Sequence, residues 1–227
     1  MKTIKYLTHS LTISFICLIS ILCSQKLVAQ DWRFQVGINS AQFRFSNPIN
    51  SSADSFQPEA GLHLSIAHSR PLVDSSKTKS AFVRKLLFQW GIHLNEFNSS
   101  GVVQNIPFNY STTYAGLKSG LEMRSNLGKG FAISYTGLLQ VSQLVMGSQK
   151  MGAQTFNLQG NNQFDRLKFH LGAEVQVLKK LNAQTDLFIF FSDSWQLNTI
   201  QKDGSQFAIN PTSFGFGLHY SPFNSHE

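Results

Sequence analysis

From Asp31 to Tyr220, apolar side chains recur at every second position in segment after segment, and no helical periodicity runs long enough to compete. A strand turns successive side chains to opposite faces, so the pattern commits the chain to sheet, with one apolar and one polar face per segment. The first segment sets Trp32, Phe34, Val36 and Ile38 against Arg33, Gln35, Gly37 and Asn39. The second sets Ala60, Leu62, Leu64 and Ile66 against Gly61, His63, Ser65 and Ala67, and the third Leu86, Phe88, Trp90, Ile92 and Leu94 against Gln89, Gly91, His93 and Asn95.

The same alternation continues to the end of the chain. Thr113, Ala115, Leu117, Leu121 and Met123 oppose Gly116, Lys118, Gly120, Glu122 and Arg124; Phe131, Ile133, Tyr135, Leu139 and Val141 oppose Ala132, Ser134, Thr136, Gln140 and Ser142. Leu167, Phe169, Leu171, Ala173, Val175 and Val177 oppose Lys168, His170, Gly172, Glu174 and Gln176. The seventh segment, residues 185–192, is apolar on both faces and has no clean phase. The last sets Phe214, Phe216, Leu218 and Tyr220 against Ser213, Gly215, Gly217 and His219. Pro48, Pro58, Pro71, Pro107, Pro211 and Pro222 fall between these segments or at their ends, where a missing ladder donor costs little.

Alternation alone fits a soluble barrel or sandwich as well as a membrane barrel, so the composition of the two faces decides between them. The apolar faces carry no charged side chain, and the opposite faces are mostly Gly, Ser, Gln, Asn and His. Charged residues are only 14% of the chain, whereas a soluble outer face would hold many more. Small polar residues suit a narrow lumen. The mean hydropathy of −0.10 is far from that of a helical membrane protein. Five outward residues in the third segment project to roughly 20 Å at a tilt near 40°, close to the ~25 Å apolar band of outer-membrane barrels. Trp32, Phe34, Phe131, Tyr135, Tyr220 and Phe223 lie near segment ends, where interfacial aromatic girdles belong. Connections also alternate in the second half, tight around residues 126–129 and 180–184 and long around 148–164 and 193–212, the short-turn, long-loop arrangement of outer-membrane barrels. The connection at residues 70–80 is longer than that rule predicts.

Residues 1–29 read as a signal peptide, with Lys2 and Lys5 ahead of an apolar run at residues 11–23 and a cleavage-like Leu27-Val28-Ala29. That run is too short to span a bilayer. Leu22 before Cys23 argues against a lipoprotein signal. Both cysteines, Cys17 and Cys23, lie within this segment, so thiol chemistry and cysteine metal sites are excluded from residues 30–227, the expected barrel domain. The formal charge of +7 falls to +4 without Lys2, Lys5 and Lys26, leaving 16 basic against 12 acidic residues and no basic run dense enough for nucleic acid.

The signal segment, about eight amphipathic strands and the closing Ser213-Phe-Gly-Phe-Gly-Leu-His-Tyr220 together resemble the outer membrane protein β-barrel domain of Bacteroidota, which includes PorT-like proteins, over residues 31–223. The resemblance implies a small OmpA-type barrel and, through the PorT-like relatives, an accessory role in a secretion or envelope-assembly complex. The final strand also resembles the terminal signal read by the barrel assembly machinery, with Gly215, Phe216 and Tyr220, although the chain runs on to Glu227.

Candidate chemistry is sparse. His63, His93 and His170 share the inward phase and could in principle bind a divalent cation, but no inward carboxylate accompanies them at that level and their strands are not all neighbours; lumen histidines hydrogen-bonded to polar neighbours are the expectation. Arg33, Glu122, Arg124 and Glu174 share the inward phase toward the other end and predict a lumen salt-bridge network that plugs the barrel. His63-Leu64-Ser65 echoes the His-x-Ser of lipid A deacylases, but Ile66 stands where those enzymes carry Asn, and both side chains point to the lumen rather than to lipid. Gly128-Lys129-Gly130 lacks phosphate-loop spacing and predicts a tight turn before Phe131; the sequons at Asn50, Asn98 and Asn109 lie in or near predicted loops and read as chance matches.

The expectation is an all-β, antiparallel, up-and-down transmembrane barrel of about eight strands in a bacterial outer membrane. It is expected to be a non-enzymatic scaffold with no catalytic, cofactor or metal site and no cofactor. Its expected partners are outer-membrane lipid, the barrel assembly machinery and envelope proteins. A lipid A-modifying enzyme and a soluble periplasmic ligand-binding barrel are the further alternatives.

Overall fold

A computed structural model describes residues 31–46, 56–73, 80–103, 105–198, 200–202 and 205–222. The signal segment, Pro48, the Asn50 sequon, Phe223 and the terminal residues to Glu227 lie outside the described residues.

Among the described residues the chain forms ten antiparallel strands: β1 (Asp31–Ser46), β2 (Gln57–Pro71), β3 (Leu86–Val103), β4 (Ile106–Gly128), β5 (Phe131–Met151), β6 (Gln154–Asn157), β7 (Lys168–Lys180), β8 (Thr185–Gln196), β9 (Ile200–Lys202) and β10 (Ser205–Tyr220). Eight of them pair in the order β1-β2-β3-β4-β5-β7-β8-β10, and pairing of β10 with β1 closes the ring. Closure leaves every ring strand a neighbour on both sides, so the backbone is satisfied internally, as a span through hydrocarbon requires. The short strands β6 and β9 extend the hairpins above β5 and β10.

All eight expected strands are present, and each reaches further than its clean alternation. At ~3.4 Å per residue and a tilt near 40°, the 23 residues of β4 project to roughly 55 Å, about twice the apolar band. Stretches expected as long loops, at residues 148–164 and 193–212, are therefore partly strand. Asn98 and Asn109 likewise lie within β3 and β4 rather than in loops. Pro58, Pro107 and Pro211 also fall inside strands, each just past the end of one neighbour's ladder. The β1–β2 ladder ends at Ser40↔Ala60, β4–β5 at Phe108↔Met151 and β8–β10 at Asp193↔Thr212. Each proline thus occupies a local edge where no donor is needed on that side.

The two ends of the ring differ. One carries Asp31, Tyr220 and two tight turns. The first of these, Gly128-Lys129-Gly130, is the expected tight turn: its three residues adopt φ of 84°, 52° and 75°, and Asn126 Oδ1 accepts the Gly128 N–H at 2.8 Å. The second spans residues 181–184. Short turns mark the periplasmic end of an outer-membrane barrel, which makes the opposite end, with the tall β3–β4 and β5–β6 hairpins, the exterior one.

Candidate functional site

In the lower half of the ring, apolar side chains point outward and polar ones inward. Ile38, Ile92 and Phe216 are 60%, 54% and 58% exposed, while Arg33, Glu122 and Lys118 are 1%, 0% and 4% exposed. The seventh segment now has a phase: Leu187, Ile189 and Phe191 face out, and Phe188 and Phe190 turn inward with Leu178 to form a small lumen core. An apolar belt around a charged interior is the inverse of a soluble protein, and closed antiparallel barrels with such a belt are outer-membrane structures. The chain is a bacterial outer-membrane β-barrel.

Along the lower rim of the belt, cross-strand register lines up Tyr220, Trp32, His68 and Trp90. The His68 ring lies 5.3 Å from Trp32 and 5.6 Å from Trp90, and the Lys179 ammonium sits 4.0 Å from the Phe131 ring. Amphipathic rings in a row at one height are an interfacial girdle.

The lumen is filled in three layers. At the periplasmic end, Glu122 pairs with Arg33, lies 3.5 Å from Arg124 and accepts a hydrogen bond from Ser134 at 2.7 Å. Arg124 reaches Asp186 at 3.7 Å, and His219 bridges Asp186 and Asp31 at 3.0 and 3.2 Å. Three of the four residues expected to form a salt-bridge network therefore do so. Glu174, the fourth, sits one layer higher, where it accepts from Gln35 at 3.1 Å and Gln176 at 2.6 Å. In that middle layer Lys118 donates to Gln35 at 2.5 Å and to Ser65 at 2.8 Å. The sequence places Lys118 in the lumen without hinting that it would hold this layer together.

The histidines are held individually. His63 donates to Asn95 Oδ1 at 2.6 Å and packs 5.3 Å from Phe190, while His170 donates to the Ile209 carbonyl at 3.0 Å. Among the described residues, no group of three or more His, Cys, Asp or Glu side chains is spaced to hold a metal ion. Ser65 is engaged by Gln35 and Lys118 and His63 by Asn95, so the His-x-Ser pair is occupied inside the lumen and does not form a nucleophile–base couple.

The third layer went unrecognised in the sequence. Above Asn39, the inward positions become apolar: Ala41, Phe43, Phe97, Tyr114, Leu144, Leu158, Phe164, Phe207 and Ile209 form one buried cluster, with Phe56 and Tyr110 packed against it. Ring contacts such as Phe164–Phe207 at 4.9 Å and Tyr110–Phe164 at 5.4 Å tie the connection beyond β6 into the mouth of the barrel, and Tyr114 donates to the Phe164 carbonyl at 2.9 Å. Lys168, fully buried at the base of this cap, lies 4.9 Å from the Phe207 ring. The signal was a change of parity: outward apolar residues are even-numbered in β1 up to Ile38, and inward ones are odd-numbered from Ala41.

No family model and no curated protein matches the chain. Among solved structures it is similar to neisserial surface protein A, at 9% identity and a TM-score of 0.48, covering 84% of this chain and 96% of that one. It is also similar to Ail of Yersinia pestis (10% identity, TM-score 0.39, 84% and 99% covered) and to OprG of Pseudomonas aeruginosa (10%, 0.39, 85% and 97%).

Proposed function

We propose that the protein is a non-enzymatic outer-membrane scaffold, anchored by the lower half of its barrel and presenting the outer half as a contact surface. The observation that carries this reading is the aromatic cap. A lumen closed by packed side chains argues against conduction, while the same packing holds the outer hairpins rigid enough to display a defined surface. Several outward positions of that half are polar, Gln42, Arg44, Ser111 and Thr113 among them, which suits contacts made in water.

The sequence resemblance to PorT-like proteins favours envelope-assembly components as the partners, and the closing strand Ser213–Tyr220 supports insertion by the barrel assembly machinery. Outer-membrane fractionation with heat-modifiable gel migration, followed by cross-linking through cysteines placed at Arg44 and Ser111, tests the reading. Cross-links to one defined envelope protein are expected. Recovery from the soluble periplasm, or stepwise conductance in liposomes, overturns it.

A further inference from the structure

The wall of the outer half is open at one place. The β5–β7 ladder ends at Ser142↔Lys168, and above it β5 continues with β6 as its partner. On the far side the Leu197 N–H still reaches the Phe169 carbonyl at 2.7 Å, and above that β9 pairs with β10 alone. Among the described residues, no strand stands between β6 and β9. The connection of residues 158–167 does not take that place. Asn161 N–H bonds the Leu158 carbonyl at 3.1 Å and Phe164 N–H bonds the Asn161 carbonyl at 2.9 Å, turns that carry Leu158 and Phe164 into the cap.

β6 therefore has a free edge, and register decides which groups lie on it. Two residues join Met151 to Gln154, so this pair exchanges hydrogen bonds and so does every second pair after it; the Leu158 N–H to Gly147 carbonyl bond at 3.0 Å keeps that rhythm. Thr155 and Asn157 fall between and turn both N–H and C=O away from β5. All four residues of β6 are exposed, and among the described residues none bonds those backbone groups. Sheet edges are normally blunted by charge or proline, and Gln154-Thr155-Phe156-Asn157 contains neither.

The two faces of the edge differ. Register runs from Tyr110 through Gln149 to Phe156, which puts Phe156 on the mouth-facing side, 45% exposed, with Ile106 and Met151 nearby above the cap. Asn109, Lys150 and Thr155 align on the outward side.

We propose that the free edge of β6 binds an extended segment of a partner protein by strand addition, with an apolar side chain of that segment set against Phe156 at the mouth. The proposal rests on the scaffold reading and names its contact. Four backbone groups and one aromatic ring suit a short segment. A second copy of the barrel fits the edge poorly, because barrels standing side by side meet through their outward faces, which here carry Lys150, Thr155 and Asn157.

The test uses the folded barrel in detergent micelles and a set of labelled peptides with threonine at alternate positions and valine, leucine or phenylalanine between. Fluorescence anisotropy reads binding, and heat-modifiable migration reports that each variant has folded. At least one peptide is expected to bind, and its fully N-methylated form is expected not to. Thr155→Pro removes a donor from the free edge without touching the ladder to β5 and should weaken binding about tenfold, whereas Thr155→Val keeps the donor and should stay within about twofold. Binding by no member of the set overturns the proposal. Binding that survives N-methylation or Thr155→Pro overturns the assignment to this edge. Self-association of the parent that Thr155→Pro abolishes, read by sedimentation, gives the edge to a second copy and overturns the peptide as its occupant. Cross-linking through Arg44 and Ser111 does not involve β6, so it still reads the scaffold role when the peptides fail.

Discussion

The lower and outer halves of this barrel share the same strands, yet they bury opposite kinds of side chain. β1 pairs with β10 without interruption from Trp32↔Tyr220 to Ser46↔Gln206, so no bulge resets the faces along that seam. Below, Trp32, Phe34 and Ile38 face out and Arg33 and Gln35 face in; above, Ala41 and Phe43 face in and Gln42 and Arg44 face out. The backbone is indifferent to which side is apolar; the surroundings decide. Lipid accepts the outward apolar residues below, and water accepts the outward polar residues above, leaving the lumen to be filled by ion pairs in one half and by aromatic rings in the other. The difference teaches that the two halves fail differently. The lower lumen depends on charge pairing, which is costly to break, and the upper lumen on packing, which is costly to thin.

The largest effect is expected where charge pairing is most centralised. Glu122→Ala takes from Arg33 its buried carboxylate partner while Arg124 keeps Asp186, and removing one partner of a buried pair costs about 3–5 kcal/mol. Denaturant titration in detergent micelles, followed by the loss of heat-modifiable migration, reads the change. Replacing Arg33 by Met and Glu122 by Leu together should recover most of the loss, since both members of the buried pair are then apolar and Arg124 keeps Asp186. A double variant as unstable as Glu122→Ala would show that the lower lumen relies on something other than pairing.

Thinning the cap comes next. Phe207 is fully buried between Phe43 and Phe164, at 5.8 and 4.9 Å. Phe207→Ala should cost about 3 kcal/mol, the lower end of the range for such truncations because the cluster lies at the open end of the ring and can partly collapse. The loss should be local. Hydrogen exchange of β9, the upper part of β10 and the connection after β6 should accelerate while the belt strands stay protected. Uniform acceleration throughout the ring would show that the halves are one cooperative unit.

These contrasts also explain what could be read from the sequence. Eight strands, their lower boundaries and the inward set from Arg33 to Glu174 were legible because lipid imposes a period of two on the outward face. The outer half was not, because its alternation runs in the opposite phase. Phe43, Phe97 and Phe207 look like irregularities at strand ends when the phase is carried over from Ile38, Leu94 or Phe214. Prolines 58, 107 and 211 strengthened the misreading, since a proline inside a ring strand is tolerated only where one neighbour has ended, which pairing alone reveals. Phe188 and Phe190 blurred the phase of β8 for a related reason: they are lumen residues of the lower half that are apolar rather than polar. Glu174 and Lys118 share the inward phase with Arg33 and Glu122, but their heights depend on the stagger of the strands, which alternation does not encode.

The smallest effect gives the sharpest contrast between the halves, because it sets two outward-facing residues against each other. Ile92 on β3 and Ser111 on β4 both point away from the lumen, Ile92 from the apolar belt and Ser111 from the outer half. Ile92→Arg places a cation in hydrocarbon and should cost about 2–4 kcal/mol in unfolding from lipid vesicles. Ser111→Lys places one in water and should stay within about 0.5 kcal/mol of the parent. If the belt has been set at the right height, moving the arginine from Ile92 to Leu94 and then to Glu96 along the same face should reduce the cost step by step as the side chain nears the interface. A penalty that stays constant to Glu96 would place the membrane boundary higher on the barrel than the parity change does, and the cap would then close the lumen within the bilayer rather than above it.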